Sequence, residues 1–118
     1  MTCARIDREY RFGTGSNFDL QTFFIQGVSR ALFEEVTFDA NGVTSLDWAT
    51  YPILRFPDLP ELEIVLINRP EMEPLGAGEG ATIPPAAAIA NAIFGAVGVR
   101  LREGPFTPKR VLAELKKT

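Results

Sequence analysis

The chain has 118 residues, enough for one domain and too few for two ordinary ones. Twelve basic residues against fifteen acidic ones leave a net charge of −3, which argues against a dedicated nucleic-acid binder. The sequence contains no histidine, so a histidine triad, a histidine-ligated metal and a histidine proton shuttle are excluded. Cys3 is the sole cysteine, which excludes an internal disulfide, an all-cysteine zinc site and an iron–sulfur cluster. Residues 1–20 carry Arg5, Asp7, Arg8, Glu9, Arg11 and Asp19 and show no apolar stretch of a secretory signal. The longest strongly apolar run, Ala86 to Ala90, is far short of a membrane span. A soluble, cytoplasmic protein is the expectation.

In chain order, residues 1–19 lack a clear period and contain Gly13, Gly15, Ser16 and Asn17, which reads as a loose N-terminal arm. Asp19 then precedes Leu20, Phe23, Phe24, Val28, Ala31 and Leu32, apolar at helical spacing, and predicts a helix over about 20–34 with Asp19 as its cap. Glu34 and Glu35 at its end are expected in solvent. Val36 and Phe38, the Asn41-Gly42 turn signal and Val43 to Leu46 predict a hairpin. From Asp47 to Pro60, Pro52, Pro57 and Pro60 forbid long regular structure. Trp48, Tyr51 and Phe56 should anchor this loop in the core rather than line a channel.

Leu62 to Ile67 reads as the best strand of the chain. A glycine loop over 75–82 follows, and Pro84-Pro85 opens a second helix. Its apolar stripe is Ala86, Ile89, Ala90, Ile93, Phe94 and Val97, and Gly98 ends it. Asn91 on this helix is expected to cap a neighbouring backbone group. A short strand over 99–102 and a last helix capped by Thr107 complete the order α-β-β-β-α-β-α, a small mixed α+β domain over residues 20–118. The acids Asp58, Glu61, Glu63, Glu71, Glu73 and Glu79 cluster in one stretch, and six bases cluster between Arg100 and Lys117. Two solvated faces that attract one another are expected; the other reading is a basic tail that meets an anion or another subunit.

The unit that looks built for a ligand is the strand–glycine loop–helix of residues 62–97. Gly76, Gly78 and Gly80 allow close approach of a bulky group, and a helix start favours an anion. The spacing nevertheless lacks the third glycine of a dinucleotide fingerprint and the Gly-Lys-Ser/Thr of a P-loop. Glu79 would repel a phosphate. It is either a solvated loop acid or a carboxylate placed for general-base or cation-binding work.

From Ile25 onward the sequence resembles the C-terminal end of the molybdopterin-binding large subunit of molybdenum hydroxylases. These form the xanthine dehydrogenase/aldehyde oxidase superfamily, and the similarity is to its isoquinoline 1-oxidoreductase and nicotinate dehydrogenase branch. The resemblance rests on the ordered segments Ile25 to Glu35, Asp47 to Phe56, Gly76-Ala77-Gly78-Glu79 and Pro84 to Phe94. It implies that Glu79 is the general base of a hydroxylation that places water-derived oxygen on an N-heteroaromatic ring or an aldehyde. It further implies cofactor contacts at Gln26, Gly76, Ala77, Gly78, Gly80 and Ala81, with no protein ligand to the metal. A buried carboxylate with a raised pKa would suit that task. The implied cofactor is molybdopterin, often as the cytosine dinucleotide form, and the implied partners are the rest of the subunit and a 2Fe-2S small subunit. Gln21-Thr22-Phe23 stands where the family carries Glu-Gly-Gly, and Gly80 stands where many members carry proline.

The expected function is therefore that of a C-terminal fragment of such an oxidoreductase, inactive alone because one loop cannot enclose so large a cofactor. No nucleic acid or membrane is an expected partner. The alternative is a non-catalytic remnant whose exposed former interface makes it a homo-oligomer. A third reading is an independent anion-binding domain built on Gly76 to Gly80.

Overall fold

The computed structural model describes residues 16–65, 71, 73 and 79–117. Residues 1–15 of the arm expected over 1–19, and the loop residues Gly76, Ala77 and Gly78, lie outside them, while 16–19 belong to a helix and not to an arm. Helix α1 spans Ser16–Leu32 and buries Leu20, Val28 and Ala31, the positions that its apolar period selects. It starts earlier than expected, so Asp19 lies inside the helix and does not cap it. The helix closes where Phe33 and Glu34 both donate their N–H groups to the Ser29 carbonyl, at 2.9 and 3.3 Å.

Strands β1 (Phe38–Asp39) and β2 (Gly42–Val43) form an antiparallel hairpin in which Phe38 faces Val43 and Asp39 faces Gly42. The turn is centred one residue before the Asn41-Gly42 signal, on Ala40 and Asn41. Asn41 N–H donates to the Asp39 carboxylate at 2.7 Å, and Gly42 adopts φ 130°, a region that favours glycine.

Among the described residues, neither of the two further strands expected from the sequence forms. Residues 61–65 have no pairing partner, and 66–67 fall outside the described residues. Leu62 and Ile64 are half-buried between the exposed Glu61, Glu63 and Val65. Over 99–102, Val99 and Leu101 are buried while Arg100 and Arg102 are exposed, again without a ladder. Alternation thus reads burial correctly, whereas a strand also needs a neighbour to accept its hydrogen bonds.

Helix α2 (Pro84–Val97) and helix α3 (Pro108–Leu115) match expectation closely. Gly98 ends α2 with φ 73° and donates to the Phe94 carbonyl at 2.8 Å. Thr107 caps α3 by accepting from Arg110 N–H at 3.3 Å. The stripe of α2 is less buried than expected: Ile89, Ala90 and Ile93 are half-buried, while Phe94 and Val97 are exposed. The window Gly80–Val97 is long and apolar enough by composition to cross a membrane. Helix α2 has 14 residues, about 21 Å of rise, which is short of the roughly 30 Å hydrocarbon core.

The core gathers on α1. Besides Leu20, Val28 and Ala31 it holds Ala81, Val99, Leu101 and the fully buried Pro85. Gly27 is the closest crossing. A Cβ there would stand 2.7 Å from the Thr82 carbonyl oxygen and 2.8 Å from Pro85 Cγ, so only glycine permits this approach. Buried Ser29 accepts from Leu54 N–H at 2.9 Å, and Phe106 N–H donates to the Ala31 carbonyl at 2.7 Å.

Candidate functional site

The glutamate singled out by the sequence sits at the start of a 3-10 turn, Gly80–Thr82, that leads into α2. Its backbone is fixed by two bonds: the Glu79 carbonyl accepts from Thr82 N–H at 2.9 Å and from the Thr82 hydroxyl at 2.7 Å. The turn itself is held by burial of Ala81 and by the glycine crossing of α1, since the Thr82 carbonyl is the atom that Gly27 abuts. Helix α1 therefore positions the backbone from which the carboxylate projects. The Glu79 side chain is exposed, and the buried carboxylate of the sequence reading is not found in this chain. Burial of that group requires surface that the described residues do not supply.

The other expected contacts divide. Gln26 is half-buried on α1, next in sequence to the crossing residue Gly27. Gly80 has ordinary backbone dihedrals, and nothing lies within 4 Å of where a Cβ would be, so it borders open space. Ala81 is 6% exposed and buries its methyl group in the packing of the turn. Gly76, Ala77 and Gly78 lie outside the described residues. Among the described residues no group of three carboxylates or thiols could hold a metal ion.

The proline-rich loop is pinned by one of the three aromatic anchors the sequence suggested, Tyr51, while the other two lie in solvent. Trp48 is 68% and Phe56 87% exposed. The fixing contacts are polar: Ser29 to Leu54, and the Tyr51 hydroxyl, which donates to Glu34 Oε2 at 2.9 Å. That bond is the main reason the Tyr51 hydroxyl is pushed above its usual pKa, with burial adding to it. Behind Trp48 lies a tied turn. The Asp47 carboxylate accepts from the Thr50 hydroxyl (2.8 Å), Thr50 N–H (2.9 Å) and Ala49 N–H (3.0 Å). These donors, the Thr50 hydroxyl first, hold the Asp47 carboxyl below the usual carboxylate range.

Neither acid at the end of α1 stands alone in solvent. Glu34 receives Tyr51, and Glu35 receives Arg110 at 2.6 Å, a pair that ties the end of α1 to α3 and raises the arginine further above its usual pKa. Among the described residues, no acid between Asp58 and Glu79 is ion-paired with a base of the 100–117 stretch, so the expected mutual attraction of the two faces is not realised. Among the described residues Asn91 caps no backbone group. Its side-chain oxygen accepts from Arg100 Nη1 at 2.7 Å, and the Arg100 guanidinium lies 4.0 Å from the centroid of the Phe94 ring. Sequence reasoning missed Gly27, Ser29 and Arg100. Only Gly27 carried a usable signal, as a glycine inside a helical period.

Comparison with known proteins defines the class. No protein-family model matches the chain. It is 50% identical over 91 residues to a subunit of the nicotinate dehydrogenase of Pseudomonas putida, covering 77% of this chain and 8% of that subunit. Over 94 residues it is 42% identical to a xanthine dehydrogenase molybdenum-binding subunit of Escherichia coli O157:H7, covering 75% of this chain and 12% of the relative. A third relative, a membrane-bound aldehyde dehydrogenase (pyrroloquinoline-quinone) of Gluconacetobacter polyoxogenes, is 41% identical and covers 76% of this chain and 12% of that protein. The fold is similar to part of quinoline 2-oxidoreductase from Pseudomonas putida 86, with a TM-score of 0.73 at 24% identity over 86% of this chain and 14% of that one. Over about three-quarters of its length, then, the chain is homologous to large subunits of molybdenum-dependent oxidoreductases of the xanthine dehydrogenase and aldehyde oxidoreductase type. It spans about a tenth of the length of the curated relatives it matches.

Proposed function

We propose that the chain from α1 onward serves as the C-terminal molybdopterin-binding segment of a molybdenum hydroxylase large subunit. The observation that carries this is the position of Glu79: an exposed carboxylate on a turn whose backbone is locked by Thr82 and by the Gly27 crossing. Among the described residues no side chain ties up this carboxylate, and the turn fixes the backbone that carries it, as suits a general base.

The residues present fit one wall of a cofactor site and not a whole one. Open space at Gly80 leaves room for a bulky group beside Glu79, and no described cluster could ligate a metal. Molybdopterin, in its cytosine dinucleotide form on this reading, would supply the redox centre that accepts the substrate's electrons. Gln26 and the backbone of Gly76, Ala77, Gly78 and Gly80 would contact it, and Glu79 would take the proton of the attacking water-derived oxygen. The substrate class is an N-heteroaromatic ring or an aldehyde. The remainder of the subunit and a 2Fe-2S small subunit complete the enzyme, in the cytoplasm, and the chain alone is inactive because a single wall leaves the cofactor open to water.

The test is co-expression of this chain with the Pseudomonas putida nicotinate dehydrogenase subunit from which the matching 91 residues have been removed. The expected result is no bound molybdenum and no turnover for either piece alone, and both for the pair together. Turnover by the chain alone, or a pair that holds no molybdenum, would overturn the proposal. A second reading, a homo-oligomeric remnant, is favoured by the exposure of Phe38, Leu46, Trp48 and Phe56. Light scattering that finds a stable monomer removes it.

A further inference from the structure

We infer that the outward face of α2, centred on Gly95 and flanked by Arg100, is the surface against which the body of the large subunit packs, with Arg100 set to meet a carboxylate of that body. The inference rests on the proposed function and adds the location and chemistry of the contact.

Pro84, Ala87, Asn91, Phe94 and Gly95 recur at helical spacing, and all are exposed. Only Pro85 of the helix is buried. Gly95 stands in the helix interior, where glycine weakens a helix relative to alanine. Among the described residues nothing lies within 4 Å of where its Cβ would be, and its φ is not positive, so neither a contact with them nor its backbone conformation calls for glycine. A backbone that approaches closely from outside would call for it.

Arg100 supplies the charge. Asn91 and the Phe94 ring hold its guanidinium in one orientation, against the rotamer freedom an exposed arginine ordinarily keeps. Among the described residues no carboxylate is ion-paired with it, although Arg110 and Lys117 both have acidic partners. An oriented guanidinium with free donors fits the planar, two-oxygen face of a carboxylate. The occupant follows from length: this chain matches about a tenth of its relatives, and the remaining nine-tenths is the protein mass available to cover this face.

The experiment measures binding of the full chain to the truncated Pseudomonas putida subunit by analytical ultracentrifugation. Gly95→Leu and Arg100→Glu are compared with Lys109→Glu, an equal charge reversal on α3, after melting curves show that each variant is folded. Gly95→Ala replaces the leucine variant if the latter melts early. The expected result is a tenfold or greater loss of affinity for Gly95→Leu and Arg100→Glu, partial recovery with Arg100→Lys, and little change for Lys109→Glu. Wild-type binding that neither variant weakens would overturn this inference and leave the proposed function standing. Equal loss with Lys109→Glu would reduce the effect to net charge and also overturn it. Self-association of the chain through the same face would identify a second copy as the occupant, against the inference. No binding by the wild type would overturn both this inference and the proposed function.

Discussion

Helices α1 and α2 are both apolar and similar in length, 17 and 14 residues, yet one is the spine of the fold and the other is largely bare. Apolarity does not separate them, since α2 is the richer in alanine and isoleucine. Geometry does. Gly27 lets the Thr82 carbonyl and Pro85 close on α1, Ser29 takes the loop at Leu54, and the Ala31 carbonyl takes Phe106. Three separate segments converge on one helix. Among the described residues, Arg100 is the one seen to reach across the outward face of α2. Helix α2 meets α1 at Pro85, and its uncovered outward face is where the inferred contact puts further protein.

The sharpest way to break this contrast is one substitution made at two glycines. Gly27→Ala forces a Cβ against a backbone oxygen and a proline ring, and should cost about 1–3 kcal/mol in denaturant unfolding. Ser29→Ala should come next, at roughly 1–2 kcal/mol, by leaving the Leu54 N–H without its acceptor at a buried position. Gly95→Ala should have the opposite sign, raising stability by about 0.5–1 kcal/mol, because the helix gains and nothing is displaced. A destabilising Gly95→Ala in the isolated chain would mean that α2 is already covered.

The smallest expected effect is a pH dependence on the exposed side. The Asp47 carboxyl is held below its ordinary range by Thr50 and Ala49 donors, so its contribution is complete above the unfolded value of about 3.9. It is lost as pH falls through the lower, folded value. Trp48, the sole tryptophan, sits on that turn, and its fluorescence should change only in acid below the ordinary carboxylate midpoint. A Thr50→Val variant should move the change to higher pH.

Local signals were legible in the sequence wherever one segment decides its own structure. Pro84-Pro85, Gly98 and Thr107 set the ends of α2 and the start of α3 without help from the rest of the chain. The segments around Leu62 and Val99 show the limit of such reading. Their alternation told which residues turn inward, but pairing depends on a neighbouring strand that can lie anywhere in a polypeptide, and none is paired with them here. Trp48 and Phe56 erred in the same way, since large aromatics announce that they will be covered and not by which body. At the site, Glu79 was readable as the odd carboxylate among glycines. Its anchoring through Gly27 and Thr82 was not, because a helix-interior glycine reveals a close approach but never its partner.

The most direct measurement replaces the matching 91 residues of the Pseudomonas putida nicotinate dehydrogenase subunit with those of this chain and compares Glu79 with Glu79→Gln. Molybdenum content and turnover are read on the same preparations. The account predicts equal molybdenum in both and a loss of turnover of at least about a hundredfold in the glutamine variant, the scale of a general base. Equal turnover in two equally loaded chimeras would contradict it.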